Sequence, residues 1–356
     1  MNQKRINFLV DACKLLLVFF IAFLIVAAIV FSVSKEPMNA LYCFFVGPFQ
    51  SIRRIGNIIT GACPLIFTSL AVLLIFGAGR FSMISEGAFF IGSSVAMMLS
   101  VSLSLPPLLH TLVCILGGAV AGMLAAAIPA YLRLLWNVSE VVTSIMLNYI
   151  IQFFGVYLVS YHFREVTSSS LVSVELSEGT ALSGLIGGTN VHSGFLIALC
   201  LCLFCWVLIY RSHFGYQLRL TGDNFKFSRY VGVKAAGVIV GAQLLAGAIA
   251  GAGGSIELLG MYNRFKWIST PGYGWTGIVV ALLARNNPLL VPISACFIAY
   301  INTGANVMSM SSDVSSEVAE VIQGVIMLLI ASNALLQGWR QRMIVKAVGK
   351  EKAVGC

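Results

Sequence analysis

Apolar residues run along this chain in long blocks, broken by short polar clusters. Blocks of spanning length fall near residues 15–33, 63–79, 87–104, 107–128, 141–160, 194–210, 236–260, 274–284, 288–305 and 317–337. A helix that crosses the hydrocarbon core needs about 20 largely apolar residues, and a helix satisfies its own backbone there. The pattern therefore predicts an all-α polytopic membrane protein with about ten transmembrane helices. The eighth block is too short to cross alone. It adjoins STPGYGWTG (269–277), whose Pro271, Gly272, Gly274 and Gly277 interrupt regular structure. Such a segment sits at membrane depth only when buried in protein or lining water, so it reads as a broken or re-entrant helix. A second interruption, SMISEGAFF, falls at 82–90. The breaker-rich regions 77–88 and 269–288 hold comparable places in the two halves, which hints at an internal duplication around a central pathway.

Composition sharpens the class. Of 356 residues, 59% are hydrophobic and 10% charged, with a mean hydropathy of +0.94. No soluble domain hides that much apolar surface. The run 15–33 follows Lys4, Arg5 and Lys14 without a convincing small-x-small cleavage site, and is expected to be an uncleaved first span. Ten crossings from an inside N-terminus place sixteen of the 22 Lys and Arg residues inside, as the positive-inside rule requires. On this reading 1–14 is a cytoplasmic N-terminus, 15–337 the transmembrane domain and 338–356 a cytoplasmic basic tail. The tail's five bases against Glu351 suit anionic membrane lipid, so the net charge of +9 calls for no nucleic acid. Outside loops are expected at 34–62 and 161–193.

Charge is densest at 211–234, where Arg211, Arg219, Lys226, Arg229 and Lys234 face one acid, Asp223. A short basic loop rich in turn residues reads as a cytoplasmic docking surface for a soluble partner. Asp223 or Asn224 would cap a short helix there, and Arg219 and Arg229 offer charge-assisted contacts to acidic partner groups.

Polar residues inside apolar blocks are expensive and usually face a bundle interior or a cavity. Glu140, Ser144, Asn148 and Gln152 recur every four residues and draw one drifting stripe. Two readings stay open: cavity lining, and hydrogen bonding between helices. Asp313, Glu317, Glu320 and Gln323 form a similar stripe near an outer end, where headgroup placement of Glu317 and Glu320 is the second reading, and Glu257 near the outer end of the seventh block invites that same reading. Glu86 either belongs to a site built on an interrupted helix or sits at a helix start near the inner face, where its charge favours the dipole. Tyr273 and Trp275 either stack on a flat ligand or anchor at the interface. Gly247 and Gly251 make a small-xxx-small packing face.

Enzyme signatures are missing. There is no G-x-x-x-x-G-K-[ST] loop and no H-E-x-x-H, and the four His are scattered. Cys200, Cys202 and Cys205 have no nearby His or acid, and the nine cysteines read as small apolar helix residues. Asn137-Val-Ser139 fits a glycosylation sequon but falls on the inside, as a chance match.

Five runs in series carry a resemblance. They are ACPLIFTSLAVLLIFGAGRFSMISEG (62–87), NVSEVVTSIMLNYI (137–150), FGYQLRLTGDNFKFSRYVGVKAAG (214–237), GYGWTGIVVALLARNNPL (272–289) and SSEVAEVIQGVIM (315–327). The chain resembles membrane subunits of bacterial ABC importers of the branched-chain amino acid, simple sugar and nucleoside class, and looks most similar to the purine-nucleoside and simple-sugar branch. The resemblance implies a permease of the bacterial inner membrane with no catalytic residue and no bound cofactor. ATP and Mg would be used by a cytoplasmic ATPase, an external binding protein or lipoprotein would deliver substrate, and a second, different permease subunit would complete the pathway. It also implies that Gly215, Arg219, Gly222, Asp223, Asn224, Arg229, Tyr230 and Gly232 belong to the segment that couples to the ATPase. The polar and aromatic residues read above, Glu86, Ser144, Asn148, Gln152, Tyr273 and Trp275, are then the candidates for the substrate pathway. The chain departs from the family run N-I-G-A-E-G-Q, having Ser82-Met83-Ile84-Ser85-Glu86-Gly87-Ala88 and keeping only Glu-Gly. In the coupling segment, Asp223 replaces Glu and Phe225 replaces Pro. A gradient-driven secondary transporter using Glu86 or Glu140 is the alternative from another class.

Overall fold

Helices account for nearly all regular structure in the computed structural model, which describes residues 24, 27, 29–165, 170–325, 327 and 328. In order they are α1 (Pro37–Phe45), α2 (Ile52–Gly77), α3 (Ile84–Ser102), α4 (Pro107–Trp136), α5 (Glu140–His162), α6 (Gly194–Arg211), α7 (His213–Asp223), α8 (Phe225–Tyr230), α9 (Ala235–Met261), α10 (Tyr273–Leu283) and α11 (Val291–Ser311). Residues 29–33 and 316–325 are helical as well. Seven of these helices, α2 to α6 with α9 and α11, are long and apolar enough to cross a membrane, and α10 is a shorter apolar helix. The architecture is thus all-α and polytopic. Most of the expected first span, about half of the tenth, the 1–14 segment and the 338–356 tail lie outside the described residues.

The chain divides into two compact units, one from residues up to Arg54 together with those from Tyr300 onward, the other Ile55–Ala299. In the first, the expected outside loop 34–62 is largely helical. Its two arginines lowered the apparent hydropathy and hid the start of α2, yet Arg54 is absorbed locally by the Gly47 carbonyl at 3.0 Å and Gln50 Oε1 at 2.8 Å. Tyr300 donates to the Phe45 carbonyl (2.9 Å) and stacks on Phe49. Asp313, at the end of α11, accepts from the Ser34 hydroxyl and the Lys35 amide, both at 2.6 Å. The Ser34 hydrogen bond chiefly holds its carboxyl below the usual carboxylate range. Glu317 and Glu320 are exposed.

The second unit is built around α3, α4 and α9. Its core relies on backbones that touch. Gly118 and Gly122 on α4 face Gly247 and Gly251 on α9, with Gly92 of α3 completing the contact. A Cβ added to Gly251 would stand 3.1 Å from Gly122 Cα, with the Gly118 carbonyl closer still. Ser255 donates to the carbonyls of Gly92 (3.2 Å) and Gly251 (3.0 Å), satisfying its hydroxyl inside the seam. Small residues are what let helices pack without a hydrophobic drive between them. By contrast α4, α5 and α6 bury only narrow faces, and Leu116, Leu124, Phe153 and Leu203 are exposed.

The described parts of the loop before α6, 163–165 and 170–193, are strapped down rather than loose. Ser173 N donates to Phe265 O and Phe265 N to Ser173 Oγ, each at 2.9 Å. Arg264 pairs with Glu165 (3.4 Å) and Glu175 (3.2 Å), and Ser100 shares a 2.8 Å hydrogen bond with Thr180.

Replacing Gly251 by Leu forces backbones apart, and overpacking of this kind costs about 1–3 kcal/mol or more. Gly237, with nothing within 4 Å of an added Cβ, is the control. In detergent size-exclusion chromatography, Gly251→Leu should lose most of its monodisperse peak while Gly237→Ala keeps it. Equal profiles would mean that the seam is not the core.

Candidate functional site

Two interrupted helices meet at Glu86. α2 ends at Gly77, Gly79 takes a left-handed φ of 67°, and residues 80–83 run without helix before α3 starts at Ile84. Extended backbone rises about 3.3 Å per residue against 1.5 Å in a helix, so this stretch carries Glu86 well away from the end of α2. The Phe89 carbonyl packs on Gly254 of α9, seven residues before that helix ends at Met261. Glu86 therefore lies about 15 Å from the Met261 end of α9 along the bundle, inside the unit and not at the inner edge expected for it.

On the other side the chain after α9 returns to Gly272, whose φ of 80° turns it into α10. The first amides of α10 have no partners within the helix. Glu86 supplies them: Oε1 accepts from Gly272 N at 2.7 Å and Oε2 accepts from Gly274 N. A buried carboxylate thus caps a helix start, where the dipole also favours negative charge. Glycine at 274 is required by proximity, since a Cβ there would stand 2.6 Å from Glu86 N. Thr68 of α2 fixes the same turn by donating to the Tyr273 carbonyl at 2.9 Å.

The polar stripe of α5 holds the other half. Met83 N donates to Ser144 Oγ (3.0 Å), Asn148 Nδ2 donates to Met83 O (2.9 Å), and Gly87 N donates to Asn148 Oδ1 (3.1 Å). Of the two readings of Ser144 and Asn148, the contacts are those of hydrogen bonding between segments. Gln152 leaves the buried face, because a four-residue repeat drifts on a 3.6-residue helix; Ile151, Gly155 and Val159 continue it. Tyr273 packs edge-on to Phe89 (5.3 Å) in a chain of rings that continues through Trp267 to Tyr262 and Phe265. Trp275, 51% exposed, points elsewhere.

Glu140 lies apart from this centre. Arg80 and Arg133 each approach its Oε1 at 3.9 Å and Gln243 donates to Oε2 at 2.9 Å. Arg80, Arg133 and Glu140 line a cavity of about 410 Å³ together with Phe225 and Ile239. Both carboxylates considered for a gradient-driven carrier, Glu86 and Glu140, are committed to other parts of the protein.

The basic segment forms α7 and α8. Ser212 caps α7 by accepting from Gly215 N (3.0 Å), and Asn224 caps α8 by accepting from Phe227 N (3.0 Å); Asp223 is the last residue of α7. Gly215 sits against the carbonyls of Leu208 and Ile209, which folds α7 back beneath α6. Gly222 touches the backbone of Gly77 and Gly79, and Leu218 packs on Gly77. Arg80 lies over the Phe225 ring at 5.7 Å. The segment therefore bears directly on the turn that leads to Glu86. Its other side is bare: Asp223, Asn224, Arg229, Tyr230 and Gly232 are exposed, Tyr230 at 94%, beside Phe227 and Val231. Arg219, also exposed, lies over Tyr210 at 5.2 Å.

An all-α bundle with two broken helices meeting inside it, and an exposed basic element bearing on one of the breaks, defines a polytopic transport subunit. Residues 54–331 match the family described as the permease component of branched-chain amino acid transport systems, and the chain belongs to that family. It is 31% identical over 81% of its length to the guanosine ABC transporter permease protein NupP of Bacillus subtilis, covering 83% of that protein. It is 29% identical over 87% of its length to the glucose ABC transporter permease protein TsgB13 of Haloferax volcanii, covering 84%. It is 27% identical over 95% of its length to the nucleoside ABC transporter permease protein NupB of Lactococcus lactis, covering 94%. The protein is a permease subunit of an ATP-driven transporter, not itself an enzyme, and its family implies an ATPase and a substrate-binding protein as partners.

Glu86→Ala leaves the half-buried Gly272 amide and the buried Gly274 amide without acceptors, at about 1–3 kcal/mol for a fully buried unmade bond. Glu86→Gln keeps an acceptor but loses the charge. The SDS-unfolding midpoint should fall in the order wild type, Glu86→Gln, Glu86→Ala. Three equal midpoints would remove the cap from the account.

Proposed function

We propose that this chain is one of two different permease subunits of a bacterial inner-membrane importer whose substrate is a nucleoside, purine nucleosides foremost. The observation that carries the transport reading is the continuous contact from α7–α8 through Gly222, Gly77 and Gly79 to the turn that holds Glu86 and, through it, α10. A push on α7–α8 reaches both interrupted helices along packed backbone. Phe227, Tyr230 and Val231 with Arg229 present an apolar centre and a basic rim, the composition of a docking surface. The ATPase binds there and turns over ATP and Mg, while this chain holds no cofactor. The N-terminus 1–14 and the tail 338–356 lie on the same cytoplasmic side as α7–α8, in line with the positive-inside count. The binding protein delivers substrate at the opposite end of the α9 bundle. The apolar outer faces of α4, α5 and α6 leave room for lipid and for the second permease.

Two similarities support a nucleoside, since NupP and NupB are named for guanosine and nucleoside transport. The ring series Phe89, Tyr273, Trp267 and Tyr262 next to Glu86 suits passage of a flat base with hydroxyl-bearing sugar. A simple sugar is the second reading, favoured by the similarity to a glucose permease protein. Uptake of labelled guanosine, ribose and leucine by cells expressing the whole transporter separates these. Saturable guanosine uptake is expected, and uptake of ribose alone would overturn the nucleoside assignment.

Charge reversal at Arg229, or Tyr230→Ala, should cut ATPase recovered with the tagged chain tenfold or more while membrane insertion is unchanged. Full recovery and full uptake in both variants would exclude α7–α8 as the docking element.

A further inference from the structure

Cys63 of α2, His192 just before α6 and Glu257 of α9 converge in the Ile55–Ala299 unit, near the end of α9 away from α7–α8. One ligand atom from each lies within 4.8 Å of the other two. The residues are 0%, 2% and 1% exposed. His192 Nε2 and Glu257 Oε2 are buried with no hydrogen-bond partner. His192 Nδ1 is engaged by Gly194 N at 3.2 Å, so Nε2 is the ring nitrogen left over. Gly194 and Gly260 both abut this ring, and any side chain at either position would displace it. The unit thus gives up two side chains to seat one imidazole beside a thiol and a carboxylate. None of the three touches Glu86 or the α7–α8 element through a hydrogen bond described above.

A sulfur, a nitrogen and an oxygen donor suit a borderline divalent ion; hard ions prefer oxygen throughout. Zinc takes thiolate, imidazole and carboxylate at about 2.0–2.3 Å, which sets tetrahedral ligands about 3.5 Å apart. From the present spacing of up to 4.8 Å the three side chains would draw together by about 1 Å to reach that value. Charge also balances, because a thiolate and a carboxylate cancel a divalent cation inside an apolar bundle, where an unpaired charge is costly. We propose that Cys63, His192 and Glu257 form a transition-metal site of the zinc class, with a fourth position open to water. Binding releases two protons to solvent, one from the Cys63 thiol and one from the Glu257 carboxyl, which is neutral while it is unpaired inside the bundle. The Nε2 lone pair takes the ion, the ring proton resides on Nδ1, and the weak acceptance from Gly194 N is given up. The ion ties α2, α9 and the segment entering α6 together at the end opposite the docking element.

The transporter purified in detergent is stripped with chelator, loaded with Zn²⁺ and desalted. Mass spectrometry of the metal should find about one equivalent per chain in wild type and less than a tenth of that in Cys63→Ser and His192→Gln. Loading with Co²⁺ should give a near-ultraviolet thiolate-to-cobalt band and visible tetrahedral bands, with the thiolate band lost in Cys63→Ser. Zn²⁺ should raise the thermal midpoint of wild type and not of Glu257→Gln. The wild-type cobalt spectrum needs no variant to fold. No retained zinc and no thiolate band in wild type would overturn the site, as would equal retention in Cys63→Ser, which would place the ion on other cysteines.

Discussion

A carboxylate buried in a helix bundle has to find donors, and a helix that starts inside a bundle has to find acceptors. Glu86 and the first turn of α10 answer each other's requirement. Neither interrupted helix is satisfied alone. Ser144 and Asn148 satisfy the α3 side of the break and Thr68 the α10 side. The result is irregular backbone inside an apolar protein without loose polar ends, which is the condition for such backbone to exist at membrane depth. It is also a join that can be remade, since two hydrogen bonds and a charge–dipole contact are far weaker than a packed helix seam.

The rest of the Ile55–Ala299 unit is stiff by comparison. Where Gly118, Gly122, Gly247 and Gly251 bring α4 and α9 into backbone contact, there is no side-chain layer to rearrange. The same device appears at Gly222, Gly77 and Gly79, where α7 rests on the turn leading to Glu86. A displacement of α7–α8 is passed on through backbone rather than absorbed by rotamers. This stiffness is what turns a docking surface into a lever in the proposed function.

Much of this was legible in the chain. Apolar blocks marked the long helices, the Gly247-xxx-Gly251 face marked the seam, and Asn224 was recognisable as a cap. Gly118-xxx-Gly122, the matching face, lay unremarked inside an apolar run. The depth of Glu86 was not legible, because a local pattern shows that a helix breaks but not how far the extended backbone carries the next residue. Hydropathy understated α2, whose Arg53 and Arg54 lie within the helix. Ser144 and Asn148 stood out as a stripe, but whether a stripe faces a cavity or another backbone depends on what α3 places opposite. Cys63, His192 and Glu257 are separated by more than a hundred residues at one step and about sixty at the next, so no spacing rule joins them; only the packing of α2, α6 and α9 does.

The central claim is that α7–α8 and α10 move together because Glu86 links them. Spin labels at exposed positions 216 on α7 and 275 on α10 of the assembled transporter would read the distance between the two elements by pulsed electron resonance, with and without ATP. The account predicts that the distance distribution in wild type is the same with and without nucleotide, because both labels move together, and that in Glu86→Ala it shifts or broadens with nucleotide because the α10 label no longer follows. An identical nucleotide response in both proteins would contradict it.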